Sequence, residues 1–252
     1  MIKKKHIYTI LAALVALATS CSEAMDENPV PVTTDDLTFV VGDFPAFNEG
    51  PDTRSSGIGT YDPGKTEWKD GDEILVEFVF ATSMISQAQW ITLTYNGQGW
   101  TASPNAYIDP GNGRYTAWYA PAYTVQKNDM VKKDASLPDG LNERISITSG
   151  DFTGNRVTID FSTATRAYNR IRIAMQPTDQ QTFVKAKGFL AYGNEWEDND
   201  VPITIDDNGN AYLYGTWDAG TRLTVSSGNK NKTWTLPDGK SQSGKAYVVD
   251  FR

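Results

Sequence analysis

In Asn155-Arg156-Val157-Thr158-Ile159-Asp160-Phe161-Ser162 polar and apolar side chains alternate from Arg156 to the end. Successive side chains of an extended strand point to opposite faces. Val157, Ile159 and Phe161 therefore share a buried face, and Thr158 and Asp160 a wetted one. The same two-residue period recurs along the chain. Ile74, Val76, Phe78 and Phe80 lie on one face of 73–80, and Arg170 and Arg172 alternate with Ile171 and Ile173. Tyr247, Val249 and Phe251 point one way in the last strand, and Val248 and Asp250 the other. Further strand-like runs are 37–41, 89–95, 99–103, 114–120, 185–192, 201–206, 210–217, 222–227 and 232–236. They are punctuated by turn signals such as Asn96-Gly97-Gln98 and Asp207-Asn208-Gly209.

No stretch beyond the first twenty residues carries a 3.6-residue apolar period. Short strands between Gly, Asn, Asp and Pro turns predict an all-β protein of sandwich type. There are more strands than one simple sandwich uses, which predicts two in tandem. Residues 55–163 form the first domain in this division, and residues 164–252 the second.

The chain has 252 residues, with one cysteine, Cys21, and one histidine, His6. Both sit at the N-terminus, so the remainder has no imidazole and no internal disulfide. That excludes Ser-His-Asp and Cys-His nucleophiles and histidine-bound zinc or iron. Formal net charge is −8. Residues 1–20 carry Lys3, Lys4 and Lys5 and no acid, which leaves 20 basic against 31 acidic side chains. A surface this acidic does not track a phosphate backbone, so nucleic acid is not an expected partner.

Residues 1–20 read as a signal peptide. Lys3–Lys5 form a cationic start, Ile7 to Ala18 an apolar run too short to span a bilayer, and Thr19-Ser20 a small-residue exit. Leu17-Ala18-Thr19-Ser20-Cys21 resembles a lipobox, with the leucine one position early. That makes Cys21 the expected acylation site, through which a lipid such as palmitate would anchor the chain. The stretch Ser22-Glu23-Ala24-Met25-Asp26-Glu27 resembles the surface-export signal of Bacteroidetes lipoproteins. Residues 21–54 then form a polar, Pro-containing tether and a first strand, with a Gly-, Ser- and Pro-rich loop running from Asn48 to Pro63.

Several patterns together resemble one family. Trp68-Lys69-Asp70-Gly71-Asp72-Glu73-Ile74 is similar to the opening strand of fimbrillin-like proteins, and Asp52-Thr53-Arg54 to an element upstream of it. Tyr115-Thr116-Ala117-Trp118-Tyr119-Ala120-Pro121 resembles their aromatic strand. Asp160-Phe161 and Arg166–Ile173 resemble the strands leading into their second domain, without the histidine common there. Ser243–Asp250 resembles their closing strand.

The resemblance implies two tandem transthyretin-like Greek-key β-sandwich domains. It also implies a structural or adhesive role as a fimbrial subunit, anchor or tip, at the cell outer membrane. It further implies assembly by strand exchange. A protease cuts after Arg54 in this scheme, and the strand carrying Leu37, Phe39 and Val41 leaves. A strand from a neighbouring subunit fills the groove, with Tyr247, Val249 and Phe251 as the candidate donor. Partners implied are other fimbrial subunits, the membrane through the lipid, and host or bacterial surface ligands.

The alternative is a carbohydrate-binding surface lipoprotein, in which Trp90, Trp100, Trp118, Trp196, Trp217 and Trp234 would stack on sugars from an exposed row. No motif selects a catalytic carboxylate pair, so no enzyme and no cofactor are expected. The acidic stretches 195–200 and 206–210 lack the alternating spacing of a calcium loop and read as solvated turns.

Overall fold

The computed structural model describes residues 32–49, 58–59, 64–81, 86–104, 107–108, 113–151, 155–161, 166–177, 181–241 and 243–252. Among these residues there is no α-helix, only a 3-10 turn at Thr34–Asp36. The N-terminal segment contributes β1 (Val32–Thr33), β2 (Thr38–Val41), β3 (Asn48–Glu49) and β4 (Ile58–Gly59). Next come β5 (Glu73–Ala81), β6 (Ser86–Tyr95), β7 (Trp100–Ser103), β8 (Tyr107–Ile108) and β9 (Gly113–Tyr119). The first half ends with β10 (Tyr123–Gln126), β11 (Asp129–Lys132), β12 (Ile145–Asp151) and β13 (Arg156–Ile159). The second half holds β14 (Asn169–Ala174), β15 (Thr182–Lys185), β16 (Leu190–Ala191), β17 (Asn194–Glu195) and β18 (Val201–Ile203). It closes with β19 (Asn210–Gly215), β20 (Arg222–Ser227), β21 (Lys230–Thr235) and β22 (Lys245–Asp250).

The first core lies between a five-stranded antiparallel sheet, β12-β9-β5-β6-β7, and the pair β2-β13. The alternation dictates this. Ile74, Val76 and Phe78 of β5 face inward with Ile91, Leu93, Tyr115 and Ala117, and meet Val157, Ile159 and Phe161 from the other layer. The turn between β6 and β7 follows from Asn96 and Gly97. The Asn96 side-chain oxygen accepts from the amides of Gln98 and Gly99, while Gly97 takes φ 83, open to glycine at no steric cost.

The outer face of this sheet is not fully wetted. Leu75, Trp90 and Trp118 pack beneath Tyr123, Val125 and Met130 of the β10–β11 hairpin, with Trp90 and Trp118 stacked at 5.0 Å. Glu77 sits on the same face, in register opposite Trp90. Burial, and then the charge of Asp129, lift its carboxyl above the ordinary glutamate range. The folded chain therefore holds this proton more tightly than the unfolded chain. The ionised form weakens the fold as pH rises through the raised range. Glu77→Gln is expected to raise Tm at pH 7, with the gain gone at about pH 3, below the unperturbed glutamate value of about 4.3. Thermal melts at the two pH values check this, and an equal shift at both would refute it.

The second core lies between the sheet β19-β14-β22-β3, with β4 also on β22, and the sheet β18-β15-β20-β21. Ile171, Ile173, Leu213, Tyr247 and Val249 face Val184, Leu223, Val225 and Trp234. Trp217 fills the middle, fully buried and stacked on Phe189, and its indole N–H donates to the Pro237 carbonyl at 2.7 Å. β14 is the central strand, antiparallel to β19 and parallel to β22. Asn169 locks the start of β14: its side-chain amide donates to Gly239 O at 2.7 Å and accepts from Lys245 N at 3.0 Å.

The chain is thus all-β, with two sandwich-like cores. One element crosses the division expected from sequence. Ile58, assigned there to the first domain, is fully buried in the second core. The stretch 48–63, read as a loop, supplies two short strands to β22. The cause is the unfilled edge of β22, whose backbone groups need partners.

Candidate functional site: the seat of the N-terminal segment

Residues 32–49 are threaded through both halves of the molecule. β1 pairs with β8. β2 then runs parallel to β13, with Phe39 opposite Val157 and Val41 opposite Ile159. Leu37 is buried in the first core, and Phe39 and Val41 are half-buried against it. The three residues selected for the removable strand therefore do pack onto one core. Their only ladder among the described residues is with β13, at the margin of the layer.

The next residues were not singled out by sequence. Phe44 is buried edge-on against Trp68 at 5.0 Å and Tyr119 at 5.2 Å. The Trp68 indole donates to Gly42 O at 2.8 Å. Lys65 lies 4.8 Å from the Phe44 ring centre, pairs with Asp72 and donates to the Tyr119 hydroxyl at 3.0 Å. Burial, with the charges of Glu143 and Asp72, pushes that phenol up, so it stays neutral. Phe47 is buried against Tyr168, Tyr214 and Ala246.

Arg166 joins these pieces. Its guanidinium donates to the Pro45 carbonyl through Nε at 3.2 Å and through a second nitrogen. It also pairs with Glu143 at 2.5 Å, donates to the Tyr168 hydroxyl at 3.1 Å and lies 3.8 Å over the Phe47 ring. The side chains of Arg166 and Glu143 are only 5% and 11% exposed. A buried arginine with a carboxylate, a carbonyl and an aromatic face satisfied together is a directional clamp on residues 45–47. Burial, followed by the Glu143 charge, also raises the Tyr168 phenol.

β3 and β4 complete the seat. Asn48 and Glu49 lie parallel to Lys245 and Ala246, with Asn48 N donating to Gly244 O at 2.8 Å. Ile58 and Gly59 lie antiparallel to Val249 and Val248. β22 is consequently an interior strand. Tyr247, Val249 and Phe251, the candidate donor residues, are buried in their own core. In this arrangement they are occupied at home, between β14 on one side and β3 and β4 on the other.

Cys21 and Arg54 lie outside the described residues. In the sequence, Arg54 falls between Glu49 and Ile58, on the connection between the two short strands that cover β22.

The exposed tryptophan row that the glycan alternative needs is absent among the described residues. Trp90, Trp196, Trp217 and Trp234 are buried, and Trp100 and Trp118 are half-buried in cores. Strand tryptophans carry the largest apolar area, and the packing claims it. Among the described residues no group of three or more His, Cys, Asp or Glu is placed to hold a metal. Asp206 spends its carboxylate on the amides of Asn208 and Asn210 in a turn.

No family model matches the chain, and no curated protein matches it. Among solved structures, the chain is similar to a fimbrial protein from Bacteroides ovatus, at 13% identity and a TM-score of 0.41. That match covers 84% of this chain and 48% of the other, so this chain spans about half the length of that protein. It is also similar to a fimbrial assembly protein from Parabacteroides distasonis, at 12% identity and a TM-score of 0.37, over 72% of this chain and 83% of that one. A third is the tip fimbrial protein Mfa3 from Porphyromonas gingivalis, at 4% identity and a TM-score of 0.32, over 67% and 76% of the two chains. These structural neighbours are fimbrial proteins of Bacteroidetes.

Proposed function

We propose that this protein is a subunit or accessory of a surface fimbria, an anchor or tip included, in which residues 32–49 act as an internal plug. The observation that carries the proposal is the seat itself. A short segment supplies Leu37, Phe44 and Phe47 to the interior, yet among the described residues it ladders only to β8, to β13 and to the start of β22. Loss of such a segment exposes strand edges and apolar pockets together, which favours addition of another strand. Its covalent tie to the rest of the chain runs through Arg54. The donor in this reading is the C-terminal strand of another copy, bearing Tyr247, Val249 and Phe251, which has to leave its place between β14 and β4 once β3 is gone.

Delivery is by lipid. Cys21 is acylated in this reading, and the chain reaches the outer surface of the outer membrane as a lipoprotein. A cut after Arg54 then removes the lipid with the plug. The role is structural and adhesive, with no catalytic group assigned. N-terminal sequencing of surface-recovered protein, alongside acyl labelling, tests it. The expected result is a mature start just after Arg54, with acyl label on the precursor that disappears in Cys21→Ala. Polymers unaffected by Arg54→Ala, built from a chain beginning at Cys21, would overturn the reading.

A further inference from the structure

The outer face of the first domain holds a cavity of about 510 Å3, lined by Trp90, Thr92, Thr94, Ser103, Thr124 and Asn128 among others. This is within the size range of small-molecule sites, about 300–1,000 Å3. The pleat explains the lining. Trp90, Thr92 and Thr94 alternate onto the outer face of β6, Ser103 of β7 lies in register with Thr92, and the β10–β11 hairpin closes the far side.

One feature marks the cavity as more than a surface dip. Trp90 is only 7% exposed, and its indole N–H, shielded from solvent, has no acceptor among the described residues. Buried donors are nearly always paired, so an orphan at a cavity wall points to an acceptor supplied from outside. The hairpin tip above it is a two-residue loop of the kind favoured in hairpins. Lys127 and Asn128 take φ 51 and φ 62, a left-handed pair of non-glycine residues placed at the cavity.

The chemistry of the lining selects the ligand. Threonine and serine hydroxyls both donate and accept, and asparagine offers both functions on one amide. The lining carries one cation, Lys127, and one carboxylate, Glu73. An anion finds no cluster of cations here, and an apolar ligand would strand the hydroxyls. A neutral polyol matches both counts.

We propose that this cavity binds a neutral saccharide, with the Trp90 indole N–H donating to a sugar oxygen and the Thr92, Thr94 and Thr124 hydroxyls completing the contacts. Among the described residues the β10–β11 hairpin is laddered only to itself, so a small outward shift opens the indole edge without breaking the sheet. The site is separate from the seat of residues 32–49, and its test is independent of strand exchange.

Saturation-transfer NMR on the full chain with cellohexaose, xylohexaose and maltoheptaose, each at about 10 mM to capture millimolar affinity, provides the test. At least one oligosaccharide is expected to receive saturation and to change the tryptophan fluorescence. Trp90→Phe removes the N–H and trims the indole to one ring; it is expected to weaken binding about tenfold, as one lost buried hydrogen bond implies, and to lower Tm through the void it leaves. Thr92→Val is expected to weaken binding without touching the indole. Absence of transfer to all three sugars, or equal binding by Trp90→Phe, overturns the proposal. So does binding confined to a sulfated oligosaccharide such as a heparin hexamer.

Discussion

Replacing Arg166 with alanine is expected to cost about 3–5 kcal/mol, the range found when one partner of a buried ion pair is removed. The size follows from what remains. Glu143 keeps a charge that is almost entirely shielded from water, and loses the guanidinium 2.5 Å away. The Pro45 carbonyl loses its donors, and the Phe47 ring loses the cation stacked on its face. Chemical denaturation measures the cost, and chymotrypsin digestion locates it, since Phe47 offers a cleavable bond before Asn48. The stretch 45–49 is expected to become cleavable before either core opens, because its clamp is local. Arg166→Lys keeps the charge but not the planar fork, so it should recover only part of the loss. The double variant Arg166→Ala, Glu143→Gln should be more stable than Arg166→Ala alone, since the stranded charge is gone. A single variant within 1 kcal/mol of the parent, with residues 45–49 still protected, sinks the clamp.

How much of this was legible in the sequence depends on how each element earns its burial. The two-residue period of Asn155–Ser162 places Val157, Ile159 and Phe161 inside, and they are inside. The strand at Arg222–Ser227 matches the structure end to end. Where the period is interrupted, the reading fails. Residues 185–192 read as one strand, yet Gly188 at φ 83 splits them into the end of β15 and the short β16. The hairpin β10–β11 carries no Asn-Gly or Asp-Gly signal, since its left-handed tip is built from Lys127 and Asn128. β12 reads Ile-Ser-Ile-Thr-Ser-Gly-Asp, too polar to stand out, and is held by its ladder to β9. Arg170 looks like the wetted half of an alternating strand. It is buried, because β14 is central and carries the Phe47 ring over its outer face, 4.9 Å from the guanidinium.

The seat was half legible for the same reason. Leu37, Phe39 and Val41 show a period and were readable. Phe44, Phe47 and Ile58 are single apolar residues among prolines, glycines and acids, with no period. What makes them interior is long-range: β22 has an edge to cover, and Arg166 and Glu143 need a carbonyl and a ring. A hint was available in Asp43-Phe44-Pro45-Ala46-Phe47, two phenylalanines in an otherwise polar connection. Such residues tend to be interior wherever a partner surface exists.

The larger effect belongs to residues 21–54 as a unit. Full burial of a Leu or Phe side chain is worth about 1.5–3 kcal/mol. Leu37, Phe44 and Phe47 together therefore approach the ~5–15 kcal/mol by which a whole domain is stable. Cutting the backbone after Arg54 does not by itself undo this, because the segment stays held by its packing and by Arg166. Trypsin-nicked protein is accordingly expected to elute as one species on gel filtration, with fragment 21–54 still bound. At a urea concentration that leaves the uncut chain folded, the fragment should dissociate. The remaining chain then presents the β13 edge at Arg156–Ile159, the Lys245–Ala246 edge of β22 and the vacated pockets of Phe44 and Phe47. It should form multimers that resist SDS, and a synthetic peptide of residues 32–49 in excess should suppress them. Arg54→Ala carried through the same steps should stay monomeric. If the nicked chain loses its fragment in plain buffer yet remains a stable monomer, residues 32–49 are a dispensable cover rather than a plug, and strand exchange has no groove to work on.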